Sequence, residues 1–251
     1  MDQLVLASDF DETLATGGRV LPRTLAAIER LKESGRKFIL VTGRRLEDLE
    51  AVFPELEICD RIVGENGAVV YDPGARDVRP IAEPPPPAFA ERLAASGVEP
   101  LEIGHVIVAT REPHQEAMLA AIQELGLELH IIFNKGGVMA LPTGVNKGVG
   151  LQAVLDEFGI EKELVAAIGD AENDHSLFEV AGYPVAVANA IDSLKQKAAL
   201  VTRERAGAGV EELIGRLLSS REAPTAFGRP AAAGDPTLPK VVAREAHDAT
   251  G

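Results

Sequence analysis

The chain has 251 residues, of which 46% are hydrophobic, and a formal net charge of −14. This acidic balance argues against nucleic acid and anionic membranes as partners, because no basic cluster offsets the repulsion from their phosphates. The single cysteine, Cys59, excludes an internal disulfide framework and favours a reducing compartment. With neither a secretion signal nor an apolar run of ~18 residues, we expect a soluble protein of the cytoplasm.

In the first part of the chain, short apolar runs alternate with amphipathic segments. Residues 4–8 form an apolar run that ends in Asp9 and Asp11, which is typical of a strand buried on both faces of a parallel sheet. Pro22 and Gly35 flank an amphipathic segment and suit the two ends of a helix. This part therefore predicts, in order, a strand at 4–8, a helix at 22–34, a strand at 37–41, a helix at 46–53 and two strands joined by a turn at 61–71.

A proline-rich segment at 72–87 then predicts a boundary or hinge, because proline runs favour stiff, extended backbone. The pattern beyond it is different, and it predicts a small inserted α+β domain of about sixty residues. Its expected elements are a helix at 88–96, a strand at 105–110, a helix at 114–125 and strands at 128–133 and 137–141.

The alternating pattern of the first part resumes after the insert. It predicts a helix at 147–158, a strand at 164–168, a helix at 172–180, a strand at 184–187, a helix at 191–198, a strand at 200–202 and a helix at 210–218. The last segment is rich in Ala, Pro and Gly without periodicity, and we interpret it as a mobile tail or linker. The expected division is a core at 1–78 and 144–221, an insert at 79–143 and a tail at 222–251.

Polar residues follow several of the predicted core strands. Because the carboxyl ends of parallel strands meet at one edge, we expect these residues to share a crevice. Asp170 and Asp174 are four apart on a helical turn, where like charges repel, and a divalent cation would relieve that repulsion. A lysine at a helix start adds positive charge for an anion such as phosphate. The residues expected in the crevice are Asp9, Asp11, Thr42, Lys147, Asp170, Asn173 and Asp174.

These residues stand in motifs that resemble the haloacid dehalogenase (HAD) superfamily of phosphohydrolases. The motifs are Asp9-Phe10-Asp11-Glu12-Thr13, Thr42-Gly43-Arg44, Gly144-Val145-Asn146-Lys147-Gly148 and Gly169-Asp170-Ala171-Glu172-Asn173-Asp174. The insert between the second and third motifs is similar to subfamily IIB, the Cof-like, sucrose-phosphate-phosphatase-like and archaeal-type phosphoglycolate phosphatase branch. Glu65-Asn66-Gly67-Ala68 and Val187-Ala188-Asn189-Ala190 also look like that branch. The resemblance implies a doubly wound, Rossmann-like α/β core with a type C2 cap.

The resemblance also implies a role for each residue. Asp9 would be the nucleophile that forms an aspartyl-phosphate, and Asp11 would be the general acid and base. The implied Mg²⁺ ligands are Asp9, Asp11 through its backbone carbonyl, Asp170, and Asp174 directly or through water. The expected phosphate-binding residues are Thr42, Gly43, Lys147 and Asn173.

The implied function is a Mg²⁺-dependent phosphatase that acts on a small phosphorylated metabolite, such as a sugar phosphate or phosphoglycolate. Two alternatives stay open: a phosphomutase of the same superfamily, and a non-catalytic metal-binding module joined through the tail to a further domain or partner. Individual roles are open as well. Arg44 fits either a substrate contact or an ion pair, Asn66 fits either the site or a turn, and Asn134 and Lys135 are candidate cap contacts.

Overall fold

The computed structural model describes residues 4–134 and 136–219. The described chain contains an eight-stranded sheet and a four-stranded sheet. The first part contributes β1 (Val5–Asp9), α1 (Pro22–Glu33), β2 (Lys37–Val41), α2 (Leu46–Val52), β3 (Arg61–Gly64), β4 (Val69–Asp72) and β5 (Asp77–Pro80). The middle part contributes α3 (Pro87–Ala95), β6 (Glu102–Ile103), β7 (Val108–Arg111), α4 (Gln115–Leu125), β8 (Leu129–Asn134) and β9 (Gly137–Pro142). The last part contributes α5 (Lys147–Phe158), β10 (Val165–Gly169), α6 (His175–Glu179), β11 (Tyr183–Ala186), α7 (Asp192–Lys195), β12 (Leu200–Val201) and α8 (Ala206–Ser219).

The large sheet has the order β12-β11-β10-β1-β2-β3-β4-β5, in which β4 is antiparallel to its neighbours β3 and β5 and all other neighbouring strands pair in parallel. The order reverses at β1, which pairs with both β2 and β10. Open α/β sheets bind ligands at such a switch point, at the carboxyl ends of the strands. The predicted class, a doubly wound α/β core with a small α+β unit, is confirmed.

The central strands are buried because they are apolar on both faces. Every residue of β1 and β10 is buried, as expected for parallel strands covered by helices. The helix ends follow local chemistry: the side chain of Asn146 accepts a hydrogen bond from the amide of Val149 at the start of α5, and Gly159 ends that helix at a φ of 64°. This start fixes the position of Lys147, the first residue of the helix.

The smaller sheet, in the order β6-β7-β9-β8, packs against the large-sheet unit through an apolar interface. Ala68, Val69 and Val145 of the large-sheet unit lie in one buried cluster with Ala109 and Met139 of the small sheet. The other face of the small sheet is covered by α3 and α4, whose buried residues form a separate cluster with Val108 and Val138. The small sheet is therefore held between its own helices and the large-sheet unit.

Several details differ from the sequence prediction, among them the strand β6, which was not predicted, and the helix predicted at 210–218, which begins at Ala206. Residues 77–80, expected in a proline-rich boundary, form the edge strand β5. The strand predicted at 105–110 begins only at Val108. The helix predicted at 172–180 is a 3₁₀ turn, Glu172–Asp174, followed by the short α6.

The predicted division into residues 1–78 with 144–221 and 79–143 stays a prediction. The predicted tail at 222–251, Lys135 and the side chain of Asn134 lie outside the described residues. Among the helices that the structure describes, none has the length and apolar character needed to cross a membrane.

Candidate active site

Three buried aspartates lie together at the switch point of the large sheet. Asp9 is the last residue of β1, and Asp170 directly follows the neighbouring parallel strand β10. Asp174 lies one turn further along the chain, in the 3₁₀ turn. One carboxylate oxygen from each residue lies within 4.8 Å of the others. The predicted convergence of these distant residues is thus present in the structure.

Lys147 is the cation of this cluster. Its Nζ donates a hydrogen bond of 2.6 Å to Oδ1 of Asp9 and one of 2.7 Å to Oδ1 of Asp174. The other oxygen of Asp174 accepts from the backbone amides of Asp170 and Ala171, at 2.9 and 3.0 Å. Both oxygens of Asp174 are therefore already engaged, whereas Oδ2 of Asp9 makes no hydrogen bond in the described part of the chain.

The cluster shifts the pKa values of its members. The pKa of Asp9 is raised from 3.8 to about 7, with burial as the largest cause; the charges of Asp174 and Asp170 act in the same direction, and the ammonium of Lys147 opposes the shift. Burial alone would lower the pKa of Lys147, but the carboxylates of Asp174 and Asp9 outweigh it, so the net shift is upward. Lys147 is therefore held as an ammonium ion.

The cluster is chemically suited to a metal ion. Carboxylate oxygens are the ligands preferred by small, hard divalent cations. Asp170 places a third buried carboxylate beside the two that Lys147 contacts, and three carboxylate oxygens at this spacing suit a shared divalent ion. Asp9, Asp170 and Asp174 are thus the described residues that could hold a metal, and the side chain of Asp11 is not among them.

Asp11 lies beside the cluster and is paired with Arg44. The guanidinium of Arg44 donates to both carboxylate oxygens of Asp11, at 2.9 and 2.7 Å. This bidentate hydrogen bonding raises the pKa of Arg44, although its partial burial acts in the opposite direction. Of the two roles left open for Arg44, the ion pair is the one observed.

Thr42 and Gly43 follow β2, the strand next to β1. Val41 lies opposite Asp9 in the parallel register, which places Thr42 at the same edge of the sheet. Thr42 is buried, and its Oγ1 accepts from the backbone amide of Arg44 at 3.1 Å. A side chain at Gly43 would contact that of Asn66, because an added Cβ would lie 3.0 Å from its amide atoms. Phosphate binding by Thr42 and Gly43 stays a prediction.

Asn66 serves the turn and the site together. It has a positive φ of 54° in the turn after β3, a conformation that asparagine tolerates better than most residues. Its Oδ1 accepts from Nδ2 of Asn173 at 2.9 Å, and its Nδ2 lies 3.3 Å from Sδ of Met139. The amide of Asn173 thus contacts Asn66, and its predicted role in phosphate binding stays a prediction.

The structure also reveals polar residues to which the sequence analysis gave no role. Thr13 donates to Oδ1 of Asp170 at 3.2 Å, and Asn189 donates to the backbone carbonyl of Glu12 at 2.8 Å, so both support the loops of the site. Glu65 is fully buried and accepts three backbone amides from the small-sheet unit. Thr13, Glu65 and Asn189 all lie inside the segments that carry the family resemblance, which was the available signal.

Two cavities lie between the large-sheet unit and the small sheet. The first, about 660 Å³, is lined by Asp11 and Gly43 on one side and by Arg111 on the other. The second, about 590 Å³, is lined by Asp170 and by Phe133. Both cavities share Glu112, which follows β7, and Gly136, which precedes β9, in their walls, so these two residues lie between the cavities.

Comparison with known proteins agrees with the fold and the site in pointing to a haloacid dehalogenase-like hydrolase. The family model of haloacid dehalogenase-like hydrolases matches residues 6–82 and 96–214. A phosphoglycolate phosphatase of Saccharolobus solfataricus is 31% identical over 228 residues, which cover 87% of this chain and 94% of that protein.

Solved structures agree on the fold. A haloacid dehalogenase-like hydrolase from Bacteroides thetaiotaomicron superposes with a TM-score of 0.73 at 19% identity, over 86% of this chain and 100% of that one. A sugar phosphatase of HAD subclass IIB superposes with a TM-score of 0.67 at 19% identity, over 86% and 99% of the two chains.

A doubly wound core with an aspartate cluster at its switch point and a small sheet above it defines a hydrolase of the phosphatase class. The chain belongs to the haloacid dehalogenase-like hydrolase family. The predicted resemblance to its IIB branch and the predicted enzyme class, a phosphoric monoester hydrolase, are confirmed.

Proposed function

We propose that the chain is a Mg²⁺-dependent phosphatase that hydrolyses a small phosphorylated metabolite of the phosphoglycolate type through an aspartyl-phosphate on Asp9. The observation that carries this proposal is the contact of one buried ammonium, that of Lys147, with Asp9 and Asp174. This contact orients Asp9 and leaves its Oδ2 without a hydrogen bond in the described chain. The relatives named phosphoglycolate phosphatase support the substrate type.

The first step is a displacement at phosphorus. Oδ2 of Asp9 forms a bond to phosphorus while the bond to the ester oxygen breaks, and Asp11 gives its proton to the departing alkoxide. Lys147 holds Oδ1 of Asp9 and contributes positive charge near the phosphoryl oxygens. Asp11 lies against Arg44 in the structure as an acceptor on both oxygens, so this role requires its carboxyl group to leave Arg44, take up a proton from solvent and rotate toward the ester oxygen.

The second step releases phosphate. Asp11, now deprotonated, accepts a proton from a water molecule, whose oxygen attacks phosphorus and breaks the bond to Asp9. The products are an alcohol and inorganic phosphate, and Asp9 is regenerated. A Mg²⁺ ion held by Asp9 and Asp170, with Asp174 as a ligand or through water, would supply neutralisation of the developing charge.

The test is phosphate release from phosphoglycolate and from glucose 6-phosphate, measured with Mg²⁺ and with a chelator. We expect Mg²⁺-dependent release by the unaltered protein and a loss of about 10³-fold or more in Asp9→Asn. Asp77→Asn is the matched control, because Asp77 is exposed on the edge strand β5. Circular dichroism checks that both variants are folded.

Three results would contradict the proposal. Undiminished turnover by Asp9→Asn would remove Asp9 as nucleophile. Full activity in the presence of the chelator would contradict the proposed requirement for Mg²⁺. An isomerised sugar phosphate in place of free phosphate would identify a mutase.

A further inference from the structure

The small sheet directs alternate residues of β7 to opposite sides. Val108 packs in the cluster formed with α3 and α4, whereas Ala109 packs in the cluster shared with the large-sheet unit. Side chains along a strand alternate between the two faces. Arg111, two residues after Ala109, therefore projects from the face that meets the large-sheet unit.

The side chain of Arg111 has room on that face. Its partner in the antiparallel register is Gly137, which has no side chain. Arg111 and Gly137 both line the 660 Å³ cavity, whose opposite wall includes Asp11 and Gly43. An arginine is thus placed across the cavity from two residues of the proposed active site.

The arginines of this cavity differ in their pairing. Arg44 is bound by Asp11, and Arg45 is bound by Asp48 at 2.7 and 2.9 Å. Glu102 lies 3.6 Å from Arg45 as well. Arg111 is exposed, and its guanidinium makes no ion pair or hydrogen bond with any described residue. Glu112 also lines the cavity but forms no ion pair with Arg111 in the described part of the chain.

We propose that Arg111 is a specificity-determining residue that binds a carboxylate on the leaving-group side of the phosphate ester. This inference rests on the proposed function. A guanidinium matches a carboxylate with two parallel hydrogen bonds, and the phosphoryl group would occupy the opposite wall of the cavity. A cation at this position would offset the repulsion between a chain of net charge −14 and a substrate that carries both phosphate and carboxylate.

The experiment compares two esters of equal length. Phosphoglycolate ends in a carboxylate, and 2-hydroxyethyl phosphate has a neutral hydroxyl in its place. We expect Arg111→Ala to lower kcat/KM for phosphoglycolate about 10- to 100-fold more than for 2-hydroxyethyl phosphate, the range of a charge-assisted hydrogen bond. Arg111→Lys keeps the charge without the paired donors and should give an intermediate ratio.

Arg92→Ala is the control, because Arg92 lies on α3, is paired with Glu124 at 2.7 Å and is absent from the lining of the cavity. It should leave the ratio of the two kcat/KM values unchanged. An equal fall for both esters in Arg111→Ala, or no change for either, would overturn the role of Arg111 while leaving the phosphatase proposal intact. If Arg111→Ala lowered kcat/KM only for a hexose bisphosphate, assayed as a third substrate, the group bound by Arg111 would be a second phosphate. That result would overturn the assignment of a carboxylate. Absence of turnover of every ester by the unaltered protein would instead overturn the proposed function, and this inference with it.

Discussion

The ammonium of Lys147 lies 2.6 Å from Oδ1 of Asp9, and both side chains are buried. In a buried cluster an ion pair stabilises the fold mainly by compensating charges that would otherwise be left unpaired. Lys147 belongs to α5 and Asp9 to β1, so the pair also joins the site's helix to the central strand.

Lys147→Met should destabilise the metal-free protein, because Asp9 and Asp174 would then lack their shared cation. We expect the free energy of unfolding in urea to fall by about 3–5 kcal/mol, the usual cost of breaking a buried pair. Added Mg²⁺ should raise the melting temperature of this variant more than that of the unaltered protein, because the ion would replace part of the missing charge.

Two comparisons sharpen this test. Lys162→Met, at an exposed position, should change stability little. The double variant Lys147→Met/Asp174→Asn should be more stable than Lys147→Met alone, since one unpaired charge is removed with the lysine. A Lys147→Met protein that unfolds at the same urea concentration as the unaltered chain would contradict the argument.

Mg²⁺ affinity should depend on pH through Asp9. Metal binds the ionised carboxylate, and the pKa of Asp9 in the metal-free protein is about 7. We therefore expect the dissociation constant for Mg²⁺, measured by calorimetry, to rise about tenfold between pH 8 and pH 6, of which about fivefold falls between pH 7 and pH 6, and to change little above pH 8. A Mg²⁺ affinity that is constant from pH 6 to pH 8 would contradict the raised pKa of Asp9.

The same pKa sets the sign of a stability effect. The folded-state pKa of about 7 lies above the ordinary value of 3.8 for an aspartate in an unfolded chain, so the protonated form of Asp9 favours folding. That contribution is present below pH ~4 and is lost as the pH rises through about 7. Without metal, the unaltered protein should therefore lose stability relative to Asp9→Asn over this range.

Asp11 should be needed more for the second step than for the first when the leaving group requires no proton. With p-nitrophenyl phosphate, Asp11→Asn should release about one equivalent of p-nitrophenolate per protein in a rapid burst and then turn over slowly. Stopped-flow absorbance measures the burst. Asp9→Asn should give none, and a burst from that variant would contradict the assignment of the nucleophile.

Most of the fold was predictable from the sequence because the central strands are short apolar runs and the helices are amphipathic. The meeting of Asp9 with Asp170 was predictable too, since parallel strands bring their carboxyl ends to one edge. The edge strand β5 was missed because Asp77–Pro80 is largely exposed and lacks an apolar pattern. The pairing of Asp11 with Arg44 depends on rotamers, which the spacing of residues does not encode.

Glu65 makes contacts between distant segments that no local sequence pattern predicts. It is fully buried in the turn after β3, and its carboxylate accepts the backbone amides of His105, Val106 and Ile107 at 2.7, 2.8 and 2.9 Å. The approach is so close that an added Cβ at Gly104 would lie 2.5 Å from Oε1 of Glu65. These hydrogen bonds hold the loop before β7, and with it the small sheet, against the large-sheet unit.

Glu65→Gln should weaken this attachment, because an amide presents one acceptor oxygen and an NH₂ group where the carboxylate presents two acceptors. At least one buried amide among residues 105–107 would lose its partner, at a cost of about 1–3 kcal/mol in the free energy of unfolding. Hydrogen exchange of these three amides should accelerate. The exchange rates of the β1 amides should change only as far as the global free energy of unfolding changes. Glu55→Gln, at an exposed position, is the control and should leave all of these rates unchanged. If the amides of residues 105–107 kept their protection in Glu65→Gln, the attachment would have to come from the apolar interface alone.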